Sequence, residues 1–524
     1  MTGRLIRWGG AALLALTGAG MLNGGLLGGG LAAQQSDDAM FMTGAEPVAP
    51  EDYAQFPKQG RFRAWLPKQV DLSGAYPPPG SQGPQPNCVA WATTYAARTF
   101  LNFRDKDVQP DEPADQMSPA YVYNRLRPAG SPCTGTISIV AALTLLKNEG
   151  AVTLADFPDD MRNCAIPAPD ALKAKASAYR LLDWRAVDRE VKDDWRTPIV
   201  LDDVKGALAR GAPVIFAMPA PTDFKAFRGD GIYRRAEKPG KAGYHALAIV
   251  GYDEDRQALR IMNSWGPIWG DKGYAWIDYA TFQLLAGEAY SLEAPVAPPA
   301  PDAPPAPQRS PAQMLAQQVA AMPCGMVSVQ GGRVTGFSGD LNAIAALEDA
   351  TGKADPTLKF AVRHLPWPQC EAALTLAGPL ARDGAGIAVL TPDGEARGGD
   401  PVVMAENDIF GVSATTTAAR PYISIIYLQA DGSAVELHRG HPEPDRKGVR
   451  RVTIGLSETA QRYQVAPPFG PEMIVALASA KPLFGDDEVV NGTERQFLTR
   501  LRAKLAARQG DGLAAAFVRL QTSN

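Results

Sequence analysis

Apolar and polar positions change their spacing part-way through the N-terminal half of the chain. Apolar stretches that begin after Asn or Ser-Pro, or end at Gly, predict helices at residues 89–101, 120–125, 137–148 and 204–210. From residue 213 onward, shorter apolar runs between turn residues predict strands at 213–218, 245–252, 258–262 and 273–277. The pattern predicts an α+β unit over residues 61–292, with a helical part followed by a β-rich part.

A proline-rich stretch separates this unit from the C-terminal half. Eight of the seventeen residues from Pro295 to Pro311 are proline, which predicts an extended linker at 293–312. Helix-like segments around strands at 326–335 and 358–364 predict a small α/β domain at 313–380. Strand-like segments, including a hairpin about Ala430-Asp431-Gly432, predict a β-sandwich-like domain at 381–490, and a basic amphipathic segment predicts a helical tail at 491–524.

The first residues of the chain predict export. Arg4 and Arg7 precede an uncharged run, 8–36, whose apolar centre is followed by small residues near Ala33. This order is typical of a cleaved signal peptide, here 1–33, followed by a short arm at 34–60. The alternative is an inner-membrane anchor at 8–36, since the run is long enough to cross a bilayer. Both interpretations export the remaining chain, to the periplasm or as a secreted protein.

Export makes disulfide bonds possible, and the chain has five cysteines. Pairing within domains predicts the disulfides Cys133–Cys164 and Cys324–Cys370 and leaves Cys88 free. Because an unpaired thiol is unusual in an exported protein, Cys88 is a candidate for chemistry.

Charge and histidine content exclude some functions. The 524 residues carry a net charge of −4 without a basic block, which argues against nucleic-acid binding. His438 and His441 have a spacing that would suit metal binding, but they lie in a polar loop without further ligands, and we interpret them as solvated. The sequence predicts no metal site and no cofactor.

Cys88 stands where a proline-rich loop is predicted to meet a helix. A thiol in the first turn of a helix lies at the positive end of the helix dipole, which favours the thiolate. Gln82 lies across the loop, so its side-chain amide and the Cys88 backbone N–H are candidates to bind a developing oxyanion. The alternative interpretation is a buried structural cysteine beside a surface glutamine.

His245 and Asn263 flank a predicted hairpin. If the chain folds about Glu254, the two side chains lie opposite each other on one face, within hydrogen-bonding distance. Asn263 would then accept the imidazole N–H and orient the ring, so that the other ring nitrogen could take the Cys88 proton. Taken alone, His245 has the alternative interpretation of a hydrogen-bonded core histidine.

Three segments together resemble the papain family of cysteine peptidases. They are Gln82…Cys88 with Trp91, YHALAIVGY at 244–252, and NSWGPIWGDKGY at 263–274. The resemblance covers residues 61–292 and implies a helical and a β-rich subdomain with a peptide-binding groove between them. By match to the family pattern, it implies that Cys88 is the nucleophile, His245 the base and acid, and Asn263 the residue that orients the imidazole. It also implies that Gln82 donates to the oxyanion and that the ring of Trp265 shields the His–Asn contact from water.

The chain also departs from this family. Gln85 stands where the family pattern has a cysteine, so the disulfide formed there in the family is absent. The arm at 34–60 is too short for the long inhibitory pro-segment common in the family, so latency would need another device. A weaker resemblance links residues 384–490 to a bacterial β-sandwich module of unknown function, and it implies no activity.

The leading hypothesis is an exported cysteine peptidase that cleaves protein or peptide substrates through a Cys-His-Asn triad and an acyl-enzyme. One alternative keeps this geometry in a cell-wall peptide hydrolase or acyl transferase. Another is an inactive papain-fold scaffold. We interpret the C-terminal domains as a binding or positioning attachment for an envelope or protein partner, and the sequence predicts no oligomeric state.

Overall fold

A computed structural model describes residues 41–524, except 107, 128–132, 161–163, 165, 192–193, 294–309, 447, 458–460, 486–487 and 508–511. The predicted signal peptide at 1–33, the alternative anchor at 8–36 and most of the linker at 293–312 lie outside these residues. In the part of the chain that the structure describes, no helix combines the length and hydrophobicity needed to cross a membrane.

Helices dominate the first part of the N-terminal unit, as the apolar pattern predicts. The central helix, α2, begins at Cys88 and contains a π-helical middle segment. The helices of the unit are α1 (Pro50–Gln55), α2 (Cys88–Ala90, Trp91–Arg98 and Thr99–Phe103), α3 (Pro119–Leu126), α4 (Ile139–Asn148), α5 (Lys173–Ala176), α6 (Leu201–Ala209), α7 (Thr222–Lys225) and α8 (Tyr279–Leu285), with 3-10 turns at Ser73–Ala75, Asp170–Leu172 and Ser177–Tyr179.

The second part of the unit is a twisted, mostly antiparallel sheet. Its order is β2-β8-β3-β5-β6-β7-β4, and β1 pairs with the far end of β5. The strands are β1 (Gln69–Asp71), β2 (Asp183–Ala186), β3 (Val214–Ala220), β4 (Ile232–Tyr233), β5 (Gly243–Asp253), β6 (Ala258–Met262), β7 (Tyr274–Asp278) and β8 (Glu288–Glu293). The predicted α+β class is therefore confirmed.

Helix α2 and strand β5 form the centre of the unit's core. Every residue from Cys88 to Leu101 is buried, and small side chains such as Ala90, Thr93 and Ala97 let the surrounding elements approach the helix closely. Strand β5 is buried from His245 to Tyr252, which explains its nearly continuous apolar sequence. The first residues of both elements meet at the boundary between the helical and β-rich parts.

The C-terminal half contains a small α/β domain and a two-sheet domain. In the first, β10 pairs antiparallel with β9 and parallel with β11. The elements are helices α9 (Pro311–Ala320), α10 (Leu341–Ala354), α11 (Gln369–Thr375), α12 (Ala377–Leu380) and α13 (Glu494–Ala507), and strands β9 (Gly325–Gln330), β10 (Arg333–Ser338), β11 (Lys359–His364), β12 (Ala385–Leu390), β13 (Val402–Ala405), β14 (Ile409–Thr416), β15 (Tyr422–Leu428), β16 (Ser433–Gly440), β17 (Arg450–Ile454), β18 (Tyr463–Gln464), β19 (Pro471–Ser479), β20 (Gly492–Thr493) and β21 (Ala514–Ser523). A sheet containing β12, β14, β17 and β18 shares a hydrophobic core with the sheet β13-β21-β19-β15-β16-β20.

Two predictions for this half are wrong in part. The single strand predicted at 326–335 is a hairpin of β9 and β10, because Gly331 and Gly332 both take positive φ and form the turn. The helical tail predicted at 491–524 holds for α13, but residues 514–523 form strand β21. That strand is stabilised by pairing with β19 along its length, a non-local contact that local patterning does not reveal.

A buried ionic cluster near the turn between β5 and β6 accepts a hydrogen bond from the C-terminal half. Lys205 of α6 is fully buried and binds Asp202 and Glu254, at 2.7 and 2.8 Å. Thr499 of α13 donates to the same Asp202 at 2.9 Å. Because Glu254 lies in the turn between β5 and β6, helix α13 of the C-terminal half supports the end of the hairpin remote from His245.

Candidate active site

Cys88 is the first residue of α2 and is fully buried. The other four cysteines form the two predicted disulfides, Cys133–Cys164 and Cys324–Cys370, and leave Cys88 with a free thiol. Burial raises the pKa of the thiol to about 11, although backbone N–H groups, including those of Ala246 and Gly44, lower it by a smaller amount. The expected stabilisation of a thiolate by the helix is therefore outweighed by desolvation in this closed form.

His245 and Asn263 come together on one face of the β5–β6 hairpin. His245 Nε2 lies 2.7 Å from Asn263 Oδ1. The sequence predicts a hairpin that turns about Glu254, and the structure differs. Asp253 pairs with Ala258, so the turn is longer, and a bulge shifts the register between Ile249 and Gly251. His245 and Asn263 are therefore not directly opposite, but an offset of two residues keeps both side chains on the same face.

The hydrogen bonds of Asn263 define the protonation of the histidine ring. Asn263 Oδ1 also accepts the backbone N–H of Ser264, at 2.7 Å, which identifies that atom as the oxygen. Because an amide oxygen only accepts, His245 Nε2 carries the proton and Nδ1 is left as the acceptor. Nδ1 is buried and has no hydrogen-bond partner among the described residues. Burial lowers the pKa of His245 to about 4, so the ring is neutral at pH 7.

The sulfur lies beside the strand that carries this ring. Ala246, whose backbone N–H contacts the sulfur, is the residue after His245. In the closed form Nδ1 makes no hydrogen bond to the sulfur or to any other described atom. The site thus contains a neutral thiol and a neutral imidazole that are not hydrogen-bonded to each other.

Trp265 covers the His245–Asn263 contact. Its ring stacks on the imidazole, with centroids 4.2 Å apart and planes inclined by 20°, and it is almost fully buried. The indole N–H donates to the carbonyl of Met42 at 2.8 Å. This position agrees with the shielding role that the sequence suggests.

Gln82 lies in the loop that leads to Cys88, and its side-chain amide is already hydrogen-bonded. The side-chain Nε2 donates to the carbonyl of Gln85 at 2.8 Å, and Oε1 accepts from the Ser264 hydroxyl at 2.7 Å. The Gln82 backbone N–H donates to the Ser264 carbonyl, which ties the loop to the strand side of the site. Gln82 as an oxyanion donor remains a prediction that requires its amide to leave Gln85.

A stretch of the N-terminal arm closes the site, and we call residues 41–49 the covering segment. The backbone N–H groups of Gly44 and Ala45 donate to the Tyr244 carbonyl, at 3.2 and 3.1 Å. On the other side, Ala45 forms a parallel bridge with Ile137, just before helix α4. The segment therefore spans the groove between the helical and β-rich parts and covers Cys88.

The covering segment fits too closely to allow a side chain at Gly44. A Cβ atom there would lie 2.0 Å from the Pro86 carbonyl oxygen. The backbone N–H of Gly44 also lies near the Cys88 sulfur, and that of Val48 lies near the carboxyl of Glu288, and each lowers the pKa of its neighbour by a small amount. Sequence reasoning missed these residues, because their contacts are mostly made by backbone groups that any sequence supplies.

Residues 122–290 match the family model described as papain family cysteine protease. This part of the chain is similar to the papain family. The matching region includes His245, Asn263 and Trp265, and Cys88 and Gln82 lie before it.

Short stretches of curated proteins are also similar to the chain. Cathepsin B-like CP1 of Giardia intestinalis is 35% identical over 74 residues, which are 14% of this chain and 24% of that protein. Pro-cathepsin H of Bos taurus is 40% identical over 77 residues, 14% of this chain and 22% of that protein. The chain therefore spans less than a quarter of the length of these relatives. Among solved structures, the chain is similar to xylellain, a cysteine protease from Xylella fastidiosa, with 22% sequence identity and a TM-score of 0.41. The match covers 48% of this chain and 96% of the xylellain chain.

Proposed function

We propose that this protein is an exported cysteine peptidase that hydrolyses peptide bonds with Cys88, His245 and Asn263. The observation that carries the proposal is the His245–Asn263 hydrogen bond, which leaves Nδ1 as a free acceptor beside the strand that contacts a free thiol. The papain-family sequence of residues 122–290 supports the same chemistry. The two disulfides support export, since disulfides persist in oxidising compartments.

In this mechanism, His245 Nδ1 takes the proton of the Cys88 thiol, and the sulfur attacks the carbonyl carbon of the scissile peptide bond. The Cys88 backbone N–H and the Gln82 amide stabilise the oxyanion. The C–N bond then breaks, the amine leaves with the proton held by His245, and a thioester remains. Water, deprotonated by His245, hydrolyses the thioester, releases the acid and regenerates the thiol.

The closed site implies that the resting protein is latent. The backbone N–H groups of Gly44 and Ala45 hold the covering segment on the Tyr244 carbonyl, and Cys88 is fully buried beneath it. The segment must therefore leave before a substrate can enter. This short segment would then be the device of latency.

The alternatives use parts of the same geometry. A cell-wall peptide hydrolase or acyl transferase would share Cys88, His245 and Asn263 and differ in its acyl acceptor or substrate. An inactive scaffold would need no free acceptor on the imidazole, so the orientation of His245 by Asn263 and Ser264 favours an enzyme.

The proposal is tested by digestion of an unfolded protein substrate with the full-length chain. The chain carries Gly44→Ala to displace the covering segment, and Gly44→Ala with Cys88→Ala is the matched control. We expect cleavage by the first and none by the second, with mass spectrometry locating the new termini. Release of peptides from purified cell wall, without cleavage of the protein, would instead support the cell-wall alternative. Absence of Cys88-dependent cleavage of either material would contradict the peptidase proposal.

A further inference from the structure

A cavity beside the proposed active site has a one-sided charge. Its volume is about 350 Å³, and it adjoins Tyr244, the residue before His245, and Gly287 at the start of β8. Four cationic side chains line it, and no described carboxylate does. They are Arg189, Arg196, Lys238 and Lys241.

Arg189 is the buried cation of this cavity, with 6% of its surface exposed. Its terminal nitrogens donate to the carbonyls of Thr197 and Gly287, and the guanidinium stacks on Trp195 at 4.0 Å. Its Nε is buried without a partner, and none of the described carboxylates comes within ion-pair distance. Asp188 and Asp194 compensate part of its charge from outside the cavity lining, and an anion in the cavity would add to that compensation.

The other cations add to this imbalance. Arg196 binds Asp194, at 3.0 Å, but Lys238 and Lys241 are exposed and form no ion pair with a described carboxylate. An acid of the neighbouring strand, Glu288, accepts a hydrogen bond from the Tyr290 hydroxyl at 2.6 Å and lies near Val48 of the covering segment. Lys238 and Lys241 are therefore available to a ligand, and Arg189 adds its charge to the cavity.

The cavity lies along the path of a chain bound in the groove. The covering segment contacts Cys88 at Gly44 and reaches Glu288, next to Gly287, at Val48. An extended peptide advances about 3.4 Å per residue. A peptide replacing the covering segment would therefore bring a residue within about four positions of its scissile bond to the cavity.

We propose that this cavity is a subsite for a carboxylate of the bound peptide, an inference that rests on the peptidase function proposed above. The guanidinium of Arg189 supplies the buried charge, and Lys238 and Lys241 supply the charges at the rim. The carboxylate comes either from an Asp or Glu side chain or from the C-terminus of the peptide.

Binding to an inactive full-length chain tests this subsite independently of turnover. Short labelled peptides, with Glu or Gln scanned through each position and with amide or acid C-termini, are titrated into the Gly44→Ala, Cys88→Ala chain by fluorescence anisotropy. The test variant adds Lys238→Ala and Lys241→Ala. The matched control adds Lys173→Ala, a surface lysine of the helical part that pairs with Asp170.

We expect the peptide with Glu at one position to bind more tightly than the peptide with Gln there. The double lysine variant should reduce the ratio of the two affinities about 3- to 10-fold, as for partly exposed ion pairs. Lys173→Ala should leave the ratio unchanged, and added salt should weaken it. A preference confined to acid C-termini, with the same lysine dependence, would identify the terminal carboxylate as the ligand. Equal binding of Glu and Gln peptides with either terminus, or a preference that survives both lysine substitutions, would overturn the subsite. If this chain prefers Glu peptides as expected, but the digestion experiment above shows no Cys88-dependent cleavage, the peptidase proposal alone is overturned.

Discussion

Replacement of Gly44 by alanine should open the closed site. The methyl group of Gly44→Ala would lie 2.0 Å from the Pro86 carbonyl oxygen, 2.4 Å from its carbon and 2.6 Å from Cα. All three are backbone atoms of the loop that leads to Cys88, so no side chain can rotate away to make room. The covering segment must shift or leave the groove.

The magnitude follows from the cost of overpacking, about 1–3 kcal/mol for an added group in a filled site. This cost applies to the closed form alone, since the displaced segment is not confined. At about 1.4 kcal/mol per factor of ten, the population of the open form should rise about 5- to 150-fold.

The assay measures the rate at which excess iodoacetamide modifies Cys88 in the native full-length protein, followed by intact mass. Gly60→Ala is the matched control, because a Cβ at that glycine of the same arm meets no atom within 4 Å. We expect faster labelling of Gly44→Ala and an unchanged rate for Gly60→Ala. Equal rates for the wild-type protein and both variants would refute the inference that Gly44 holds the segment over the thiol.

Three further predictions concern the site and its support. In the Gly44→Ala chain, Asn263→Ala should lower kcat/KM for peptide hydrolysis about 10- to 100-fold, because the imidazole loses its orienting acceptor; an unchanged kcat/KM would contradict that role. The folded pKa of His245, about 4, lies below its ordinary value of 6.5. As the pH falls from 7 to 4.5, this group should therefore lower the unfolding free energy of the closed protein by about 2 kcal/mol. Urea titrations at both pH values should show a smaller decrease for His245→Gln, and equal decreases in the two proteins would exclude a contribution from His245. Replacing Cys133 and Cys164 by serine should lower the unfolding free energy by about 3 kcal/mol, measured by denaturant titration, and a change below 1 kcal/mol would show that the disulfide adds little.

The sequence indicated the candidate residues Cys88, His245 and Asn263 because their positions are set by local backbone structure. Cys88 follows a proline-rich loop and begins a helix, His245 lies near the start of strand β5, and Asn263 directly follows strand β6. The exact register was not predictable, since the bulge between Ile249 and Gly251 has no distinct local signature. The hydrogen bond survived this error because the actual offset still keeps both side chains on one face.

Long-range contacts explain what the sequence could not predict. The covering segment is held largely by the backbone of Gly44 and Ala45 against Tyr244 and Ile137, so its sequence carries no pattern for the groove. Burial of Cys88 under that segment reverses the expected shift of its pKa. Strand β21 could have been recognised only with knowledge of its partner β19.

The central claim is that Cys88 acts as a nucleophile whose proton is taken by His245. The most direct measurement is the rate of covalent modification of the full-length Gly44→Ala chain by a peptidyl epoxide or vinyl sulfone, with the adduct located by peptide mapping. We predict a single adduct on Cys88, none in Cys88→Ala, and a rate reduced about 100-fold or more in His245→Ala. Modification of Cys88 at an unchanged rate in His245→Ala would contradict the proposed proton transfer.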